Sequence, residues 1–110
     1  MAKKKADTVP DDLLGTVELM VIGGVEACRE DACGMTVFEA IREHHPRISF
    51  GSVFATLERL TWKGYLESRL GEPEPTRGGR ARKYYRVTAL GKKVAARTGD
   101  ALRPLLPETA

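Results

Sequence analysis

The stretch Ser49-Phe50-Gly51-Ser52-Val53-Phe54-Ala55-Thr56-Leu57-Glu58-Arg59-Leu60-Thr61-Trp62-Lys63-Gly64 decides the reading of this chain. Phe50, Val53, Phe54, Leu57, Leu60 and Thr61 recur at helical spacing, so one side of a helix is marked for burial. Ser49 suits its N-cap, and Gly64 suits a left-handed residue just past its end. The opposite side is expected to carry Ser52, Thr56, Arg59 and Lys63. Taken singly, Ser52 and Thr56 are ordinary solvent-facing residues. Beside a guanidinium, their hydroxyls form a surface that can bond phosphates or base edges. Trp62, next to a leucine stripe, is expected in the core.

Two helices precede this one. Thr36 with Glu39 fits a capping box and predicts a helix from about Gly34–Thr36 to His45. Val37, Phe38 and Ile41 would face inward, and Pro46 would end it. Upstream, Asp11 and Asp12 sit where a helix N-terminus favours acids. Leu13, Leu14, Val17, Leu19, Met20, Val21, Ile22 and Val25 then wrap most of a helical cylinder. A helix apolar nearly all round is buried on more than one side, and in so small a protein the second side calls for a partner chain, the alternative being a weak central helix with no oligomer. Gly23-Gly24 weakens that helix and points to close packing or a bend. Residues 1–10, with Lys3-Lys4-Lys5, read as a disordered basic leader.

Downstream the period changes to two. In Tyr65-Leu66-Glu67-Ser68-Arg69-Leu70, one side carries Leu66, Ser68 and Leu70. In Arg82-Lys83-Tyr84-Tyr85-Arg86-Val87-Thr88, Tyr85 and Val87 oppose Arg82, Tyr84 and Arg86. Both runs are strand-like, and Gly71–Ala81 between them is expected to be a long hairpin loop. Thr88 can cap a last helix containing Leu90, Val94, Thr98, Ala101, Leu102 and Leu105, with Pro104 and Pro107 ending it. This order predicts an α+β, mainly α fold: a winged helix-turn-helix with a two-stranded wing and a C-terminal helix. The DNA-binding domain would span 11–88, and the last helix and tail 89–110.

Length and charge bound the rest. A chain of 110 residues with 42% apolar and 30% charged residues is one soluble domain. Four cations face seven acids up to Asp31, and fourteen face eight from Ala32 onward. Arg77, Arg80, Arg82, Lys83 and Arg86 form a block without an acid. Alone it is a solvated loop. Next to the helix quoted above, it is a cationic wing for a polyanion, with arginines slim enough for a narrow minor groove. No apolar run reaches the roughly 18 residues of a membrane span, since Glu18 and Glu26 interrupt Leu13 to Cys28. With no secretory signal and only two cysteines, a reducing cytoplasm is the expected compartment.

Catalysis finds no support. There is no nucleophile–base pair, phosphate loop or paired-carboxylate arrangement, and Gly15, Gly23-Gly24 and Gly78-Gly79 do not make a dinucleotide fingerprint. No enzyme activity and no cofactor are expected. Cys28, Cys33, His44 and His45 are poorly spaced for a metal, and no neighbouring cation run lowers either thiol. Arg77-Gly78-Gly79-Arg80 is superficially an arginine-glycine RNA element, but it is single and lacks stacking aromatics. A winged-helix module that binds RNA or another protein is the alternative.

The residues also carry a resemblance. Phe50-Gly51-Ser52-Val53-Phe54-Ala55-Thr56-Leu57-Glu58-Arg59-Leu60 resembles the recognition-helix signature of the PadR family of bacterial transcriptional regulators. Lys63-Gly64-Tyr65-Leu66 is similar to that family's turn into the wing. Arg80-Ala81-Arg82-Lys83-Tyr84-Tyr85-Arg86-Val87-Thr88-Ala89-Leu90-Gly91 is similar to its wing strand and following helix start. Leu14-Gly15, Glu18 and Gly34 match weaker positions, so the likeness runs from about Leu13 to Ala96. Two departures are Phe54, where relatives often carry tyrosine, and Ala55, where they often carry proline. The resemblance implies a homodimeric repressor of a double-stranded operator, of the short-tailed kind, whose C-terminal dimerisation helix and tail would be 89–110. Its expected DNA contacts are Ser49, Ser52, Phe54, Thr56, Arg59, Lys63, Arg77, Arg80, Arg82, Lys83 and Tyr84. Its expected dimer interface comprises Leu14, Val17, Val21, Val25, Leu90, Val94, Ala101, Leu102 and Leu105. Family effectors include phenolic acids and planar drugs, so a small planar effector is allowed, though no motif names one.

Overall fold

A computed structural model describes residues 13–73 and 81–108. The basic leader, the capping acids Asp11 and Asp12, and the wing-tip Arg77 and Arg80 lie outside the described residues. Gly15 is extended, and its N–H donates to Glu18 Oε1 at 2.9 Å. That bond starts the first helix, α1, at Thr16 (Thr16–Cys28). Much of its apolar surface is covered within one chain. Val21, Ile22 and Val25 are buried, and Val17, Leu19 and Met20 pack partly buried against the same core. Gly24 permits the approach of the second helix, α2 (Gly34–His44): a Cβ there would meet Val37 Cγ1 at 3.1 Å and Ile41 Cγ1 at 3.3 Å.

Between them, Arg29 takes a positive φ of 56° and leads into a 3-10 turn, Arg29–Asp31. The N-cap of α2 is Cys33, not Thr36. Thr36 occupies the third helical position, and its Oγ1 accepts from the Cys33 N–H at 3.0 Å. The capping role expected of Glu39 thus falls to Thr36, three residues earlier. The third helix, α3 (Phe50–Trp62), is capped by Ser49, whose Oγ accepts from the Ser52 N–H at 3.1 Å. Gly64 follows with φ 87°, a conformation for which glycine carries no Cβ penalty.

The hairpin pairs β1 (Leu66–Pro73) antiparallel with β2 (Ala81–Val87). Leu66 opposes Val87, Ser68 opposes Tyr85 and Leu70 opposes Lys83. Pairing resumes at Pro73 and Ala81 after an irregularity, so β1 continues through Gly71-Glu72-Pro73, where a loop was expected. The other edge of β2 meets the segment before α2: the Tyr85 N–H donates to the Ala32 carbonyl at 2.8 Å.

The fourth helix, α4 (Ala89–Leu102), is capped by Thr88, whose Oγ1 accepts from the Gly91 N–H at 3.0 Å and donates to the Gly64 carbonyl at 2.7 Å. Gly91 is required by close approach, since a Cβ there would lie 2.2 Å from the Tyr65 carbonyl oxygen. Pro104 sits in the 3-10 turn Arg103–Leu105 that ends the helix. Buried Thr98 ties α4 to the chain start, accepting from the Leu14 N–H at 3.0 Å and donating to the Val94 carbonyl. The result is mainly helical with a two-stranded antiparallel sheet, in the expected order. Leu14, Val21, Val25 and Val94 are all core residues. Four positions expected at a dimer interface are therefore spent inside the monomer. No helix among the described residues is long and apolar enough to cross a membrane.

Candidate nucleic-acid interface

At 100° per residue, Val53, Thr56, Leu57 and Leu60 occupy one side of α3, and all four are buried. Thr56 is 2% exposed, contrary to its expected outward position, because on the helical wheel it lies about 40° from Leu60 and about 60° from Val53, at the margin of the buried stripe. Its Oγ1 accepts from Arg59 Nη2 at 3.3 Å. Trp62 departs the other way. It falls on the side of the helix away from Leu60 and is 67% exposed, so it is not core. Gly51, Phe54, Ala55, Glu58, Arg59 and Trp62 share an arc of roughly 140°, the side of α3 turned from the core. Gly51, Ala55, Glu58 and Trp62 were not anticipated there. Ser52 is half-buried at the margin, and the Ser49 hydroxyl is occupied by capping.

Two carboxylates organise the cations. Glu18, on α1, uses Oε2 to accept from Arg59 Nε at 3.4 Å and Lys63 Nζ at 3.2 Å. Burial works against its charge, but the Gly15 N–H, Lys63 and Arg59 outweigh that and hold the carboxyl below the usual range. Arg59 keeps half its side chain exposed. Glu58 performs the second junction: its Oε2 accepts from the Tyr85 hydroxyl at 2.7 Å and lies 3.5 Å from Lys83 Nζ. Burial, then the Glu58 carboxylate, pushes the Tyr85 phenol well above its ordinary range. The base of the wing is thus tied to the outward side of α3. In the sequence Glu18 stands out only as a weaker position of the family resemblance and Glu58 only within the quoted helix, and neither is marked as a partner for cations. Each is an acid on a helix until partners 25 or more residues away arrive.

The remaining wing residues are engaged as well. Tyr84 is half-buried under the Arg69 guanidinium, 5.0 Å from its ring centroid. Arg86 pairs with Glu67 across the strands through Nε at 2.7 Å. Arg82 Nη1 lies 3.9 Å from Cys33 Sγ. Burial opposes the Cys33 thiolate, yet the Thr36 and Met35 amides, the Thr36 hydroxyl and Arg82 together bring the thiol below its ordinary range. The sequence neighbourhood held no such cation, because Arg82 arrives from 49 residues away. Among the described residues, no group of three His, Cys, Asp or Glu side chains converges as a metal site.

A column of rings adjoins α3's N-terminal end. Phe38 meets Phe50 edge-on at 5.5 Å, and Phe50 stacks with Phe54 at 6.1 Å and 20°. The Arg42 guanidinium caps the column, 5.1 Å from the Phe38 centroid. Phe50 and Phe54 remain 41% and 48% exposed.

The PadR-like transcriptional regulator family matches this chain over residues 26–97. No curated protein matches it. Among solved structures, a PadR family transcription regulator from Clostridium difficile superposes with a TM-score of 0.69 at 23% identity, covering 83% of this chain and 91% of that one. A PadR-like transcriptional regulator from Bacillus cereus gives 0.67 at 21% identity, over 83% and 84% of the two chains. A Streptococcus transcriptional regulator gives 0.66 at 20% identity, over 81% and 83%. These likenesses establish the shared winged-helix fold.

Proposed function

Because the chain belongs to the PadR-like family of transcriptional regulators, which are not enzymes, we propose that it is a homodimeric repressor that binds a double-stranded operator. Helix α3 enters the major groove with its outward arc facing base edges, and the wing follows the adjacent backbone or minor groove. The observation that carries this reading is the Glu58 junction. By accepting from Lys83 and Tyr85, Glu58 keeps wing and helix on one side, where a duplex can meet both. In that geometry Arg59, Lys63, Arg77, Arg80, Arg82 and Lys83 supply phosphate or groove contacts. Ser49, Ser52 and Tyr84 flank them, and Phe54 faces the bases. Residues 11–88 form the DNA-binding unit.

Residues 89–110 supply the dimer contacts. Ala101 and Leu102 at the end of α4 and Leu105 beyond it are exposed, Leu13 and Leu106 are further exposed leucines, and Val17 and Leu90 are half-buried. Leucines that exposed favour a partner chain. Dimerisation would match two readers to a palindromic site, and occupancy of that site would exclude polymerase.

Fluorescence anisotropy against duplex DNA, single-stranded DNA and RNA tests the reading. Duplex should bind tightest, with affinity falling steeply in salt. Changing Arg77, Arg80 and Arg82 together to alanine should weaken binding to all sequences and reduce the salt slope by roughly one unit per lost phosphate contact. Tighter binding to RNA, or a particle that stays monomeric with DNA by light scattering, would overturn it.

A further inference from the structure

The outward arc of α3 is unusual for a base-reading surface in having almost nothing to bond with at its leading end. Gly51, Phe54 and Ala55 carry no hydrogen-bonding side chain, and Phe50 beside them carries none either. The polar groups farther along are already engaged, Glu58 by Lys83 and Tyr85 and Arg59 by Glu18 and Thr56. In the helix-turn-helix geometry it is the N-terminal residues of the reading helix that lie closest to base edges. Of the features displayed in the major groove, all are donors or acceptors except one, the thymine C5-methyl group.

We propose that Phe54, supported by Ala55, reads thymine methyl groups, so that the operator carries a thymine opposite this position in each half-site. The inference rests on the duplex-binding reading above and deepens it. The phenyl ring is held ready for the task. Phe50 stacks against it at 6.1 Å and is itself braced by Phe38, while Gly34 leaves the space that both rings border. A ring fixed in this way loses little freedom on contact, so the burial of a methyl against it is retained as affinity. Charge flanks the apolar tip at both ends: Arg42 lies over the Phe38 end of the column, and Arg59 and Lys63 lie toward the helix C-terminus. Those cations suit phosphates on either side of the base that the phenyl covers. The same patch fits a polar base edge poorly, because covering a donor or acceptor with a phenyl leaves it unpaired.

The test first selects a bound site from a random duplex library. Each thymine of that site is then replaced singly by deoxyuridine, which keeps the pairing and the O4 acceptor and removes only the methyl. Burial of one methyl against apolar surface corresponds to about fourfold in affinity, or about 16-fold when both half-sites are changed. One symmetric pair of positions should show that loss, and the others should not. In Phe54→Ala, whose far-UV circular dichroism should match the parent because the ring is half exposed, thymine and uracil operators should bind alike at that pair. If every uracil operator binds the unaltered protein as tightly as its thymine counterpart, methyl reading is refuted while duplex binding stands. If no duplex is enriched at all, the functional reading itself fails.

Discussion

Replacing Gly91 by alanine adds a single methyl group in the first turn of α4, and two effects of opposite sign compete there. Helix propensity favours alanine by up to about 1 kcal/mol. Against this, the new Cβ would lie 2.2 Å from the Tyr65 carbonyl oxygen, 3.0 Å from its carbon and 3.0 Å from Val87 Cγ1. The oxygen belongs to backbone and cannot swing aside. It also accepts the Thr88 N–H at 3.0 Å, so withdrawing it stretches a second bond. Overpacking of this kind costs about 1–3 kcal/mol, and a weakened hydrogen bond adds about 1 kcal/mol. The balance is a net loss of about 1–3 kcal/mol, which lowers the midpoint of a domain this size by about 5–20 °C. Thermal unfolding followed by circular dichroism measures it. Gly23→Ala is the matched control, because nothing lies within 4 Å of its built Cβ, and it should stabilise by about 0.5–1 kcal/mol. A Gly91→Ala midpoint equal to or above the parent's would refute the close-approach argument.

Glu18→Gln retains an acceptor for the Gly15 N–H but loses the charge shared by Arg59 and Lys63, both partly exposed, so about 0.5–1 kcal/mol is expected at neutral pH. The native carboxyl titrates below its usual range, so its contribution is present above the unfolded value and lost as pH falls through the folded one. Urea midpoints taken from neutral to acid pH should fall less in the variant, and parallel curves would contradict the Glu18 hub. Tyr85→Phe should cost about 1–2 kcal/mol through the bond to Glu58 and should remove one tyrosinate transition that lies above the ordinary phenol range from an alkaline absorbance titration. Because that phenol titrates above its ordinary value, the stability it adds holds below the unfolded value and disappears as pH climbs toward the folded one. An unchanged titration would mean that burial and Glu58 do not hold the proton.

What the sequence revealed was what local chemistry decides. Ser49, Thr88 and Gly64 each act within three or four residues of themselves, and each plays the part its type suggests. The change of period at Tyr65 likewise marks the passage from helix to hairpin. Errors arose where the outcome depends on which arc of a helix the other elements cover. Thr56 and Trp62 exchanged their expected sides by a rotation of the buried stripe, which a count of apolar residues does not resolve. The first helix looked over-supplied with apolar residues because α2, α3, β2 and α4 all pack on it, and their joint demand is invisible along the chain. The ion-pairing roles of Glu18 and Glu58 are illegible along the chain for the same reason. Their partners are brought together only by the finished fold.

The junction at Tyr65 also bears on how widely spaced sites can be. With Thr88 bonded to Gly64 and Gly91 seated against the Tyr65 backbone, the last helix has no slack relative to the hairpin that precedes it. If two copies join by their tails, as proposed, this elbow would act as a gear rather than a tether. The separation of the two hairpins would then be preset before any nucleic acid arrives, and inserting half a helical turn between half-sites should defeat recognition even when every base in each half is kept.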